Sequence, residues 1–270
     1  MARQDVTVEI PEGNPGETAR LLGKVAARNT ALGASSPIQN DFSWADIATG
    51  ITSLENHLKA ALEADRKSQS LHYKALSLLG IAPNQNLQTP DTLYPMVAKA
   101  RDILLVKNQT NPEALSIWGF NVVVSTDGGK RNVVVDMPIG SPEKFIELCL
   151  DIVAEHTSLG VASPLTGKLD MTFFETTINQ ANTDFKDAAT QRGIKESSNA
   201  SAMTEAGYAP GQNRDTTGTG YNLLCDMRDL LLVAYSDVPE ELTLWGFKVV
   251  VTATAIKSGD EPEPTPPPVP

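Results

Sequence analysis

The chain has 270 residues, 41% of them hydrophobic and 20% charged, with a formal net charge of −11. That is enough apolar material for the core of one large domain or two ordinary ones, and the acidity, without clustered Lys and Arg, excludes a phosphate-backbone binder. No apolar h-region follows Met1 and no stretch approaches the ~18 apolar residues of a membrane span, so a cytoplasmic location, or a virion or extracellular one reached without a cleavable signal, is expected.

Val6-Thr7-Val8-Glu9-Ile10 alternates as a half-buried strand does. Asn14-Pro15-Gly16-Glu17 then carries an N-cap, a proline at the first helical position and an acid in the first turn. The helix it starts uses Leu21, Leu22, Val25 and Leu32 and stops at Gly33. A long second helix is expected over 43–79, where Ile47, Ile51, Leu54 and Leu58 recur at three- and four-residue steps. A third begins near Pro90, capped by Thr89, and carries Met96, Val97, Ala100, Ile103 and Leu104. A Pro-Glu turn leads to Trp118-Gly119-Phe120 and a Val-rich strand.

The same order then returns. Pro112-Glu113 through Val122-Val123-Val124 comes back as Pro239-Glu240 through Val249-Val250-Val251, and Trp245 follows Trp118 by 127 residues. At that offset Gly80 matches Gly207, Tyr94 matches Tyr221 and Arg101-Asp102 matches Arg228-Asp229. Self-similarity of this kind outranks any local motif as evidence about architecture. The expected fold is therefore mainly α (α+β): a tandem duplication of a strand–three-helix–strand unit, with helical bundles joined by a small antiparallel β-sheet. The repeats are placed at 1–127 and 128–256, followed by a Pro-rich acidic tail at 257–270. The copies differ most in the second long helix, whose stretch 191–206 is rich in Ser and Asn and is expected to be exposed or frayed.

At the junction, 121–125 and 131–137 flank Asp127-Gly128-Gly129, which predicts a β-hairpin. The duplication then pairs Val6–Ile10 with 248–252. The Val triplets suggest strands covered on both faces, either by helices of both copies around one small sheet or by a second molecule on the open side.

The search for chemistry yields little. Cys149 and Cys225 sit in no CxxC spacing and read as small core residues. His57, His72 and His156 face Asp184, Asn199 and Asn29 in the other copy. Asp151, Glu155 and His156 have ligand-like spacing on one helix, yet the other copy has Lys24, Arg28 and Asn29 there, which favours a solvated face. Gly218-Thr219-Gly220 lacks the rest of a phosphate loop and reads as the approach to a helix. The repeated Arg-Asp pairs read as ion pairs between neighbouring helices in preference to a ligand clamp. Tyr94 and Tyr221 read as packing residues with the hydroxyl at the rim.

Trp118, Phe120, Trp245 and Phe247 are candidate interaction residues, a recognition patch displayed twice. The competing reading is a helix-to-strand corner in which Gly takes positive φ and the rings plug the core. Pro266, Pro267 and Pro268 are further candidates, in an extended polyproline segment suited to docking. Residues shared by both copies report what the unit needs to fold, so a function housed in one copy would sit where the copies differ.

The Trp-Gly-Phe-Val-Val-Val stretches and the Pro-rich tail resemble uncharacterised bacterial proteins with a helical module ahead of small β-domains. The resemblance implies no activity and no site residues. The expected function is a non-enzymatic structural or interaction protein that self-assembles or binds a protein partner, with no cofactor, no metal, no nucleic acid and no membrane span. One alternative is a small-molecule binder or enzyme with its site in a cleft between the repeats; the other is a virion or extracellular assembly component.

Overall fold

The computed structural model describes residues 4–127 and 130–253. The first repeat contains strand β1 (Gln4–Glu9), helices α1 (Pro15–Leu32), α2 (Trp44–Leu79) and α3 (Leu93–Lys107), a 3-10 segment Pro112–Trp118 and strand β2 (Asn121–Asp127). The second contains β3 (Lys130–Asp136), α4 (Pro142–Leu159), α5 (Met171–Ala206), α6 (Gly220–Ala234), a 3-10 segment Pro239–Trp245 and β4 (Lys248–Ala253). The chain is mainly helical with a small antiparallel β component, as two two-stranded ladders: β1 with β4 and β2 with β3. Gly128, Gly129 and the tail with Pro266, Pro267 and Pro268 lie outside the described residues.

The compact units partition the chain differently from the repeats. One comprises residues 1–61 and 196–270, the other 62–195. Each takes its β-strand, first helix and half a long helix from one repeat. The other half-helix, the third helix, the corner and the partner strand come from the other repeat.

In the unit formed by 62–195, α3, α4 and the first part of α5 bury Leu93, Leu104, Phe145, Ile152, Phe174 and Ile178. Each such side chain contributes ~1.5–3 kcal/mol relative to exposure. Polar ties join α2 to α5 beside this core. Ser68 Oγ donates to the Ala188 carbonyl at 2.8 Å, and Lys195 Nζ to Asp65 Oδ1 at 2.8 Å. Lys74 Nζ lies 3.1 Å from Asp184 Oδ2.

In the unit formed by 1–61 and 196–270, α1 and α6 bury Leu21, Val25, Leu224, Met227 and Leu231 against Trp245. Asn14 caps α1 through Oδ1, which accepts from the amides of Gly16 (3.1 Å) and Glu17 (3.2 Å). The Tyr208 hydroxyl hydrogen-bonds the Pro11 carbonyl and lies 2.8 Å from Thr18 Oγ1. These bonds fix the segment between β1 and α1.

Several expectations need correction. Helix α3 starts at Leu93, with Thr92 and not Thr89 at the cap position, because Asp91 adopts φ 57° and breaks the helical path. Within the chain the Val triplets are covered on one face only, so helices of both copies do not sandwich them. Val122 and Val135 pack on the core, whereas the cross-strand pair Val123 and Val134 is exposed. Only one face of the ladder meets helices, and side chains alternate across a strand. The repeated arginines pair with their own neighbours, not with another helix: Arg101 Nε to Asp102 Oδ1 at 2.9 Å, Arg228 Nε to Asp229 Oδ1 at 2.8 Å. Of the two alternatives for 191–206, exposure holds: α5 is unbroken there and buries only Ala202 and Ala206.

Candidate functional site

The aromatic candidates are interior. Trp118, Phe120, Trp245 and Phe247 are all buried, and the glycine between each pair is left-handed, φ 83° at Gly119 and 92° at Gly246. The Phe120 amide reaches back to the Leu115 carbonyl, and the Phe247 amide to that of Leu242, both at 3.3 Å. The chain thus turns from 3-10 helix to strand while the rings anchor the turn, and buried rings offer no recognition face. This is the corner.

The other singled-out groups are engaged structurally. His57 Nε2 lies 3.3 Å from Glu205 Oε1, the His72 ring meets Phe185 edge-on at 5.2 Å, and His156 Nδ1 lies 2.7 Å from Ser163 Oγ. Tyr94 stacks on Phe145, while Tyr221 meets Tyr208 edge-on and carries the Arg214 guanidinium 5.7 Å above its ring. Burial pushes the Cys149 and Cys225 thiols up, away from the thiolate form a nucleophile needs. Among the described residues no group of three or more His, Cys, Asp or Glu side chains is placed to hold a metal ion, and no helix is long and apolar enough to cross a membrane. Gly218, at φ 81°, occupies the position where Asp91 is also left-handed, so Gly218-Thr219-Gly220 is a turn into α6.

Two features lie outside these candidates. The first is a set of exposed apolar residues that recurs at the repeat offset. Val106 and Val233 are 79% and 77% exposed, Ile117 and Leu244 65% and 54%, Val123 and Val250 51% and 40%. In each unit they stand on the end of the third helix, the 3-10 segment and the strand that follows it, elements that pack on one another.

The second is a cleft of about 750 Å³ within the unit formed by 1–61 and 196–270. Its floor is Leu22, Ile47, Ile51, Leu54 and Leu223, and its rim carries Asp46, Ser53, Glu205, Thr216 and Thr217. The walls come from both repeats. The corresponding place in the other unit is a smaller cleft of about 390 Å³ lined by Met96, Leu169 and Phe173 among others. The sequence marks Leu22, Ile47, Ile51 and Leu54 as packing residues and gives no role to Asp46 or Glu205. The signal was present in the alignment of the two copies: Gly220 stands opposite Leu93, Asp46 opposite Phe173, and Glu205 opposite Leu78.

No protein-family model, curated protein or solved structure matches the chain.

Proposed function

We propose that this is a non-enzymatic assembly protein that associates with further copies of itself through an apolar surface presented once on each unit. The observation that carries this reading is the recurrence of large exposed apolar residues at equivalent positions: Val106 with Val233, Ile117 with Leu244, Val123 with Val250. Interior positions keep apolar residues in both copies because folding needs them. Exposed positions carry no such requirement, and scattered surface apolar residues need not coincide. Retention at the same three places points to a contact made twice.

Exposed apolar side chains can meet a second example of themselves, while the net charge of −11 keeps non-matching faces apart. The two-stranded ladders add to this, since each described strand pairs along one edge only and the other remains a point for strand addition.

Sedimentation over a range of concentrations tests the reading. The wild-type chain should grow beyond dimers as concentration rises. Ile117→Lys, which leaves one working surface, should stop at dimers, and Ile117→Lys combined with Leu244→Lys should be monomeric with an unchanged melting temperature. A wild-type chain that stays monomeric throughout, or a double variant that assembles as wild type does, overturns the proposal.

A further inference from the structure

The geometry points to the 750 Å³ cleft as a binding site for a small organic cation, an ammonium group carried on a hydrocarbon or aryl body. This inference is independent of the assembly reading, because it concerns the inside of one unit.

The cleft lies where the two copies have diverged. Leu93 is fully buried in the core of the unit formed by 62–195, and its counterpart is Gly220. Phe173 is replaced by Asp46, Thr177 by Gly50, and Leu78 by Glu205. Each exchange removes volume, adds a carboxylate, or does both. Simple loss of packing would leave an apolar void; here the space gained two acids and kept a hydrocarbon floor. A Cβ on Gly220 would lie 2.8 Å from Thr18 Cγ2, so this glycine also sets how closely α6 approaches α1.

Charge decides the class of ligand. Asp46 and Glu205 are the charged side chains in the lining, and the lining contains no Lys, Arg or His. Glu205 Oε1 is occupied, accepting from Ser53 Oγ at 2.8 Å and lying 3.3 Å from His57 Nε2. Its Oε2 accepts no hydrogen bond but is shielded from solvent, while the Glu205 side chain as a whole is 37% exposed. A carboxylate with an unused acceptor oxygen, in a lining without any cation, favours a ligand that brings a charge-assisted bond from an ammonium. The floor of Leu22, Ile47, Ile51, Leu54 and Leu223 then covers the apolar body. The volume lies within the usual range of small-molecule sites, ~300–1,000 Å³.

Titration calorimetry on the full chain with 4-phenylbutylammonium, its alcohol analogue 4-phenylbutanol and its anionic analogue 4-phenylbutyrate tests this. The ammonium should bind saturably at one site per chain, the alcohol at least about tenfold more weakly, and the carboxylate without measurable heat. Asp46→Phe, which places the other unit's residue in the mouth of the cleft, should abolish binding while the protein remains folded by circular dichroism. Glu205→Gln should bring the ammonium down to the affinity of the alcohol. Gly220→Leu is less informative, since the contact with Thr18 can impair folding. Absence of saturable ammonium binding, equal binding of ammonium and alcohol, or full binding by folded Asp46→Phe overturns the inference.

Discussion

Gly119 and Asp151 are in close contact: a Cβ built on Gly119 would lie 2.5 Å from Asp151 Oδ2 and 2.8 Å from its Cβ. Its counterpart Gly246 meets Lys24, at the position equivalent to Asp151, with a Cβ-to-Cδ distance of 2.7 Å. Each corner is therefore held against the first helix of its unit by a residue that must lack a side chain. Gly119→Val should cost ~1–3 kcal/mol from positive φ alone, with the contact adding to it. Urea unfolding measures the loss. Asp151→Ala combined with Gly119→Ala should recover part of the Gly119→Ala loss by removing the carboxylate. A Gly119→Val protein that unfolds like wild type would contradict the corner.

Asp184 is nearly enclosed on α5, its side chain 4% exposed, with Lys74 Nζ at 3.1 Å and Gln180 Nε2 at 3.0 Å. Lys74 itself is half in solvent, which weakens the pair by screening. Lys74→Met should still destabilise by about 1–2 kcal/mol, because it leaves a buried carboxylate with one neutral donor. Lys74→Met with Asp184→Leu should recover much of that loss. Equal losses in the single and double variants would show that the pair is not coupled.

The hydrogen bond from Lys195 holds the Asp65 carboxyl below the usual carboxylate range, with Gln69 adding a second donor. A folded-state pKa below the unfolded one means that the unfolded chain binds more protons, so stability rises with pH across that interval. The contribution is present in full above the unfolded carboxylate range and is lost as pH falls through the folded value. Asp65→Asn should flatten the acid limb of the melting-temperature profile and change little near neutrality. An unchanged acid limb would remove Asp65 from the account.

Tyr208 replaces an isoleucine of the other copy and ties α1 to the segment after β1 through its hydroxyl. Tyr208→Phe removes both hydrogen bonds and keeps the ring against Tyr221, so a loss of ~1 kcal/mol is expected. Exchange protection of the Thr18 amide, which bonds the Asn14 carbonyl at 3.1 Å, should fall with it. Unaltered stability would mean that water replaces the hydroxyl at no cost.

Local signals were legible where the physics is local. Pro15 after Asn14 marked the start of α1, the three- and four-residue apolar steps marked α2, and Val122–Val124 facing Val133–Val135 marked the hairpin. The start of α3 is not legible locally, because Pro90 looks like a first helical residue while the left-handed Asp91 after it breaks the helical path. Gly218 at the twin position held that information. The cleft was missed for a different reason. A smaller side chain is visible only against a reference, and the reference for Asp46 is Phe173 in the other copy.

By itself the sequence determined the duplication, the element order and the strand pairing. These follow from periodicity, turn residues and an offset that can be counted. Tertiary structure alone decided that the compact units are 1–61 with 196–270, and 62–195, and not the two repeats. Because the repeats are built alike, half of α2 can dock on its own repeat or on its twin with the same apolar pattern. Local preferences are equal in the two cases. Long-range packing decides between them, and it also leaves a larger cleft in one unit, where Asp46 stands in place of Phe173.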